Sequence, residues 1–336
     1  MSALAAPRET VRPEHLPVLR VRGVCNPRSL GVAGYGARLA AALADQGVDY
    51  ELDRRGPRDH AAHYHLANSS RAFLTDAAIH RAALSVTVHD VLPRTRALLP
   101  LYRLLAYPQL VRRPSAVVVH SSYAADLLVR TAGRRPRRLE VIAHPAPRPQ
   151  TLDRTAARCA LGWPGDALIA VLPGVIKPVK LVDEAIAAVT TMQGWRLALA
   201  GRVCDRAAVA EVRERGVLVL DNPGDADYER AIVAADCVLC LRSGSVGETN
   251  GPLLDALGAE RAVLATPTGS IPEVAGGAVL TCMGSVDEIR AGLIQLESDG
   301  VRTELESASA RRAATLTWKA SAALYAELFR EVHGAG

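Results

Sequence analysis

The sequence has few aromatic residues, no long apolar run and almost no lysine. Aromatic residues make up 4% of its 336 residues, and no nucleic-acid recognition motif is present, so we expect no nucleic-acid partner. No apolar run approaches the roughly 18 residues of a membrane span, and the opening residues lack the apolar core of a signal peptide. We therefore expect a cytoplasmic protein that begins with a flexible leader over residues 1–16.

Cysteine is also scarce. The six cysteines are scattered along the chain, which is typical of reduced thiols rather than of a disulfide framework. Cys237 and Cys240 form a C-x-x-C motif, but residues three apart on a strand point to opposite faces and cannot share a metal or a bridge. His60, His63 and His65 lie close together, yet no carboxylate or cysteine pattern completes a metal site. Surface or packing roles are therefore favoured, and no bound metal is expected.

Charge is divided unevenly along the chain. Residues 1–147 hold 21 Arg against 11 Asp and Glu, a net charge of +10, and residues 148–336 hold 19 Lys and Arg against 24 Asp and Glu, a net charge of −5; together these give the +5 of the whole chain. The basic part could face an anionic partner. Its densest run, from Arg134 to Arg138, fits a solvated loop, with an anionic membrane surface as the alternative.

Strand and helix signals alternate along the chain, which is typical of parallel sheets covered by helices. Residues 144–149 hold three prolines in six positions and predict a stiff linker. We expect a first domain over 17–147, a second over 148–315, and a terminal helix from 316 that could pack on either half. The predicted strands are 18–24, 48–52, 84–88, 116–119 and 139–143, then 168–172, 196–200, 217–220, 237–241 and 262–265.

The stretch 242–273 combines a charge, a glycine-lined turn and the start of a helix. Pro252 sits where the first turn of a helix tolerates proline. A helix beginning near Gly251 would direct backbone N–H groups and the positive end of its dipole beyond the preceding strand. This arrangement predicts an anion site, and Glu248 beside it suits a ligand that also carries hydroxyl groups.

Lys177, Lys180 and Lys319 are the only lysines, against 37 arginines. In a chain that otherwise uses arginine for positive charge, a lysine pair indicates that a compact point charge is needed. His89 follows the strand 84–88 and is expected to point into the cleft of a doubly wound domain, and His120 ends the next strand in the same way.

Two further motifs are given structural interpretations. Asp225 and Asp227 form a D-x-D motif before a helix predicted over 228–234, and capping of that helix explains them better than metal binding. A glycine turn at 31–36 is predicted before a helix over 37–46, with Asp53 where a ribose-binding acid would lie. Its order is G-x-x-G-x-G rather than G-x-G-x-x-G, and residues 25–30 separate it from the strand, which disfavours a nicotinamide dehydrogenase.

Taken together, these motifs resemble the retaining, nucleotide-sugar-dependent glycosyltransferases with the GT-B fold, and in particular the family 4-like members with a G-E-T-S-G motif. The resemblance covers nearly the whole chain. It rests on residues 31–36, 86–90, 118–123, 141–145, 174–180, 247–255 and 269–273.

The resemblance implies an α/β architecture of two doubly wound, Rossmann-like domains that face each other across a cleft, the second of which binds the donor. Lys180 would neutralise the diphosphate, Glu248 would hold hydroxyls of the donor hexose, and His89 would lie beside the transferred sugar. The donor-binding residues that it implies are Gly34, Gly174, Lys177, Gly201, Thr249, Asn250, Gly251 and Asp255.

The chain departs from the family pattern at two places. Glu248 and Asp255 give E-x6-D where the family commonly has E-x7-E. Val175 stands where the family often has an arginine, which leaves Lys177 as the candidate for the second phosphate cation.

The implied reaction moves a hexosyl group from a UDP- or GDP-linked sugar to a small-molecule or lipid-linked hydroxyl acceptor, with retained configuration and without metal or other cofactor. Peripheral contact with the inner membrane face stays open. A nucleotide-sugar epimerase of the same fold and a non-catalytic nucleotide-sugar-binding protein are the alternatives.

Overall fold

A computed structural model describes residues 19–25, 30–52, 61–67, 84–203 and 207–334. The expected leader, His60 and Asp53 lie outside these ranges. The described residues form two six-stranded sheets in which all strand pairs are parallel. The α/β class with two doubly wound halves is therefore confirmed.

The first half is built on a sheet with the order β2-β1-β3-β4-β5-β6. Its inner strands β3, β4 and β5 are buried along their whole length, as expected when helices cover both faces of a parallel sheet. The strands are β1 Leu19–Cys25, β2 Val48–Leu52, β3 Ala62–Leu66, β4 Leu84–Val88, β5 Ala116–Val119 and β6 Leu139–Val141.

Within the first half, the described residues form three α-helices and one irregular helical segment. The helices are α1 Leu30–Ala44, α2 Tyr107–Arg112 and α3 Ser122–Ala132. Immediately before α2 the chain forms a 3-10 turn Arg96–Leu98, an α turn Leu99–Leu101 and a π-helical stretch Tyr102–Ala106. Residues 96–112 are thus continuously helical with changing hydrogen-bond spacing.

The second half has the sheet order β12-β11-β10-β7-β8-β9. Counted from β7, this is the strand order of the doubly wound dinucleotide-binding fold, whose switch point lies between its first and fourth strands. The strands are β7 Leu168–Pro173, β8 Trp195–Gly201, β9 Leu218–Asp221, β10 Cys237–Cys240, β11 Val263–Ala265 and β12 Leu280–Thr281. The α-helices are α4 Arg154–Leu161, α5 Val182–Val189, α6 Ala207–Glu214, α7 Asp225–Ala234, α8 Gly251–Gly258, α9 Ile271–Ala275, α10 Val286–Gln295 and α11 Asp299–Thr315.

The last helix, α12 Trp318–His333, packs on the first half. Its buried side chains include Tyr325 and Phe329, which join Val21 and Leu39 in one apolar cluster. Leu324 of the same helix is exposed.

Several local predictions are wrong. Residues 31–36 do not form a turn but begin α1, so Gly34 is a helical residue. Strand β3 is missed because its sequence, AHYHL, carries two histidines. Helix α7 begins at Asp225, Gly224 is its N-cap, and no side chain caps it. Asp227 instead forms a salt bridge with Arg230.

The cysteine prediction is confirmed for the strand that carries the motif. Cys237 and Cys240 of β10 are both free and buried, and they belong to different core clusters on the two faces of the sheet. No described helix is long and apolar enough to cross a membrane.

Candidate functional site

The candidate site lies at the switch point of the second sheet, beyond the carboxyl ends of β7 and β10. Strand β7 leads through Gly174 into a 3-10 turn, Pro178–Lys180. Strand β10 leads into the loop 241–250 and then into α8. The N–H of Ser243 donates to the carbonyl of Val179 at 3.0 Å, which ties the two connections together. In open parallel sheets this crevice is the usual place for a ligand.

Lys180 supplies a buried cation to this crevice. Only 7% of the residue is exposed, and its Nζ donates to the carbonyl oxygen of Pro173. Burial, and after it the positive charge of Arg242, lower the pKa of Lys180 to about 8. Gly174 makes room for the amine, because a Cβ at this position would lie 2.7 Å from Nζ.

Glu248 is held by a ring of donors. Its Oε1 accepts from Nη1 of Arg242. Its Oε2 accepts from Oγ of Ser245 at 2.9 Å and from the backbone N–H of Val246 at 2.7 Å. Burial alone would raise the pKa of Glu248, but the Arg242 charge and these hydrogen bonds together lower it below its usual value. The group is therefore a fixed carboxylate.

Helix α8 begins where the sequence predicts, at Gly251. The N-cap Asn250 accepts from the N–H of Leu253 through its side chain, at 3.3 Å, and the N–H of Leu254 donates to its carbonyl. Pro252 has no N–H, so the N–H that the helix presents at its open end is that of the exposed Gly251. This end carries the positive pole of the helix dipole.

Asp255 lies one turn into the same helix. Its Oδ2 accepts from the hydroxyl of Tyr228 at 2.9 Å. Burial raises the pKa of Asp255 to about 6, while Tyr228, Arg38 and Lys180 act in the opposite direction. Arg38 belongs to α1 of the first half, so its charge reaches Asp255 across the cleft.

The first half approaches the Glu248 loop closely. The N–H of Leu92 donates to the carbonyl of Val246 at 2.8 Å. Gly247 has a φ of +87°, and a Cβ there would lie 2.6 Å from Cβ of Val91 and 3.0 Å from Cδ2 of Leu127. Only glycine combines this backbone conformation with this contact.

On the facing side, His89 is part of a chain of buried histidines. His120 Nδ1 lies 2.8 Å from the carbonyl of Ile142, which can only accept, so Nδ1 of His120 is the donor. Its Nε2 then accepts from Nδ1 of His89 at 3.3 Å, and Nε2 of His89 accepts from Nδ1 of His65 at 3.2 Å. The hydroxyl of Tyr50 completes the chain by donating to Nε2 of His65 at 2.7 Å.

The three hydrogen-bonded histidines, His65, His89 and His120, are neutral at pH 7. Burial lowers the pKa of His65 to about 3 and of His120 to about 4, and it lowers the pKa of His89 well below its usual value. Both ring nitrogens of His89 are engaged within the first half. A direct role of His89 at the transferred sugar therefore stays a prediction, and His63 and His65 have packing roles.

The structure brings together some of the predicted residues and separates others. Lys180, Gly174, Glu248 and Asp255 surround one crevice, with Asn250 and Gly251 at its helix. Gly201 ends β8, where its Cβ would overlap the carbonyl of Gly174. Gly34 lies on α1 with open space where its side chain would be, and Lys177 precedes the 3-10 turn.

Sequence reasoning did not assign three residues that the structure places at the site: Arg242, Tyr228 and Arg38. Arg242 could have been recognised, since it lies six positions before Glu248 and both flank the glycine-lined turn. The other two come from elements distant in sequence. Among the described residues, no group of three or more His, Cys, Asp or Glu side chains is arranged to hold a metal ion.

Comparisons with known proteins place this geometry in a structural context. No protein-family model matches the sequence, and no curated protein matches it significantly. Solved structures do match. Anabaena HepE in complex with UDP and glucose is 16% identical with a TM-score of 0.75, and the match covers 93% of this chain and 100% of that one.

Two further structures give the same result. The sucrose-phosphate synthase of Thermosynechococcus elongatus is 14% identical, with a TM-score of 0.72 over 94% of this chain and 100% of that chain. WaaG, a glycosyltransferase involved in lipopolysaccharide biosynthesis, is 15% identical, with a TM-score of 0.64 over 94% and 100%. At these identities the likeness shows the fold, which is GT-B.

Proposed function

We propose that this chain is a glycosyltransferase that moves a hexosyl group from a UDP- or GDP-linked sugar to a hydroxyl acceptor, with retained configuration and without a metal. The observation that carries the proposal is the placement of the buried Lys180 and the start of α8 beside Glu248, at the switch point of the second sheet. A cation and a helix dipole suit the diphosphate, and a fixed carboxylate suits sugar hydroxyls.

In the proposed reaction the bond between the anomeric carbon and the diphosphate oxygen breaks, the acceptor hydroxyl forms the new glycosidic bond, and its proton passes to the departing diphosphate. The leaving nucleoside diphosphate gains negative charge, which Lys180 and the N–H of Gly251 stabilise. Groups placed at developing charge contribute about 10² to 10³ in rate. Asp255 holds the ribose, and Lys177 supports the phosphates with the backbone of Thr249.

The supporting comparison is with HepE, whose fold this chain shares and whose structure contains UDP and glucose. We place the reaction in the cytoplasm, with a small or lipid-linked acceptor and peripheral contact with the inner membrane face. No nucleic acid and no cofactor beyond the donor take part in the proposed reaction.

A thermal-shift screen against UDP, GDP, ADP, TDP and their common sugar conjugates tests the donor site, because a ligand of the folded state raises the melting temperature. We expect a shift with one nucleoside diphosphate that EDTA does not change, that Lys180→Ala abolishes and that Lys319→Ala retains. Lys319 is the matched control because it is an exposed lysine on α12. Folded protein that responds to none of these nucleotides contradicts the proposal.

Product analysis with the identified donor then tests the reaction. The proposal expects sugar transfer only when an acceptor hydroxyl is supplied, with an unchanged anomeric configuration in the product. Release of an altered sugar from donor alone would identify an epimerase. Tight donor binding without turnover across an acceptor panel would identify a binding protein.

A further inference from the structure

We infer that residues 94–113, called here the Arg-Leu segment, form a surface that docks on an anionic lipid bilayer. The segment contains the irregular helical stretch and α2, and it follows the carboxyl end of β4. The inference does not depend on the proposed activity, because it rests on the exposure and charge of this surface alone.

The segment exposes several large apolar side chains close together, whereas such residues normally occur singly on a protein surface. Leu98, Leu101, Leu104 and Leu105 are 42%, 50%, 72% and 48% exposed, and they are four of the nine large exposed hydrophobic residues found in the described parts of the chain. Leu98, Leu101 and Leu105 follow the spacing i, i+3, i+7 within a continuous helical stretch, so they share one face.

The opposite face of the segment is anchored to the first half. Ala106, Tyr107 and Leu110 are buried, and the hydroxyl of Tyr107 donates to the carbonyl of Val91 at 2.8 Å. The outward direction of the leucines is therefore set by packing on the sheet rather than by a loose loop.

The positive charge of the segment favours an anionic partner. The sequence has no Asp or Glu between Asp90 and Asp126, while the segment carries five arginines. All five are exposed, and in the described part of the chain only Arg94 among them forms a salt bridge, with Asp90. These arginines are Arg94, Arg96, Arg103, Arg112 and Arg113. Exposed leucines among exposed arginines are the composition of a surface that lies in the headgroup region of anionic lipid.

The segment lies close to the cleft between the two halves, so docking on lipid would affect access to that cleft. It begins four residues after Asp90, and Leu92 already contacts Val246 of the second half. A cavity between the segment and the sheet is lined by Val88, Asp90 and Tyr102. Docking would therefore bring the mouth of the cleft to the lipid surface, where an acceptor or product held in the bilayer could reach it.

Co-sedimentation of the full chain with lipid vesicles tests the inference. The vesicles contain phosphatidylcholine alone or phosphatidylcholine mixed with phosphatidylglycerol, at low salt and at about 0.15 M salt. We expect binding to the mixed vesicles only, weakened by salt. Arg96→Gln/Arg103→Gln should reduce the affinity by about fivefold for each arginine, and Leu104→Ser/Leu105→Ser by on the order of tenfold.

Two control variants test whether vesicle binding depends on this surface or on any exposed arginine or apolar side chain of the protein. Arg134→Gln/Arg135→Gln removes two exposed arginines of the other basic run, and Ile294→Ser removes an apolar side chain that is 53% exposed on α10. Both should bind like the original chain. Equal binding of all variants, loss confined to the Arg134/Arg135 variant, or no preference for anionic vesicles would overturn the inference. So would self-association in solution that the leucine variant abolishes, because the partner would then be a second copy.

Discussion

Oε1 of Glu273 lies 2.7 Å from the backbone nitrogen of Ser122, so a carboxylate of the second half accepts a hydrogen bond from the first residue of α3 in the first half. Its other oxygen lies 3.1 Å from the backbone nitrogen of Tyr123. A negative charge at a helix N-terminus is stabilising. The contact therefore ties the two halves together across the cleft.

Removing this carboxylate should favour the open cleft. Glu273→Ala is expected to lose about 1 kcal/mol of attraction between the halves, which multiplies the ratio of open to closed molecules by about fivefold. Small-angle X-ray scattering should show a larger radius of gyration for the variant, and ligand that closes the cleft should reduce the difference. Glu304→Ala, an exposed glutamate on α11, is the control. An unchanged radius would mean that other contacts hold the halves.

Adding one methyl group at Gly247 should separate the same two halves. Gly247→Ala places a Cβ against Val91 in a backbone conformation with positive φ, and we expect a loss of about 2 kcal/mol in the free energy of unfolding. Gly244→Ala is the matched control, because a Cβ there meets nothing within 4 Å. Urea unfolding measures both, and equal stability of the two variants would contradict the close contact.

Donor affinity should depend on pH through Lys180. Its pKa of about 8 means that the amine is charged at pH 7 and largely neutral at pH 9, so nucleoside diphosphate affinity should fall roughly tenfold between these values. Calorimetric titration measures this fall. In Lys180→Ala the affinity should be low at both pH values, and an equally steep fall in that variant would assign the titration to another group.

The pair of Arg242 and Glu248 should behave as a unit. Their side chains are 16% and 11% exposed, so Arg242→Met leaves a mostly buried carboxylate without its cation and should cost about 3 kcal/mol. Arg242→Met/Glu248→Gln should cost less than the sum of the two single variants. Additive losses in a double-mutant cycle would show that the pair is not coupled.

The buried histidines should make the fold sensitive to acid. Their pKa values lie below the ordinary 6.5 because they are buried; the value is about 3 for His65 and about 4 for His120. Between pH 6.5 and these values the unfolded chain binds protons that the folded chain does not, so stability is full above pH 6.5 and falls below it, by about 1.4 kcal/mol per pH unit for each such histidine.

Urea unfolding between about pH 7.5 and 5 measures this slope. His120→Asn keeps a donor for the carbonyl of Ile142 but removes one titrating ring. Its slope should therefore be smaller by about one histidine. A free energy of unfolding that stays constant down to pH 5 would contradict the burial of these histidines in their neutral form.

Local signals in the sequence were enough to place much of the fold. The strands β2, β4 and β5 have the predicted bounds, because a short run of strand-forming residues between turn residues is a local pattern. The start of α8 was equally local, since Asn250 caps and Pro252 fits the first turn. From these elements alone, two parallel sheets and an anion site at Gly251 could be predicted.

Tertiary structure decided what depends on partners distant in the chain. The histidine-rich β3 is a central strand because neighbouring strands supply hydrogen-bond partners: Ser85 Oγ and Thr87 Oγ1 of β4 each lie 2.8 Å from a ring nitrogen of His63. The contact of Glu273 with Ser122 joins residues of opposite halves, and no local sequence pattern predicts it. Packing also decides the protonation states of buried side chains such as His65 and Lys180, because the desolvation of a group depends on everything that surrounds it.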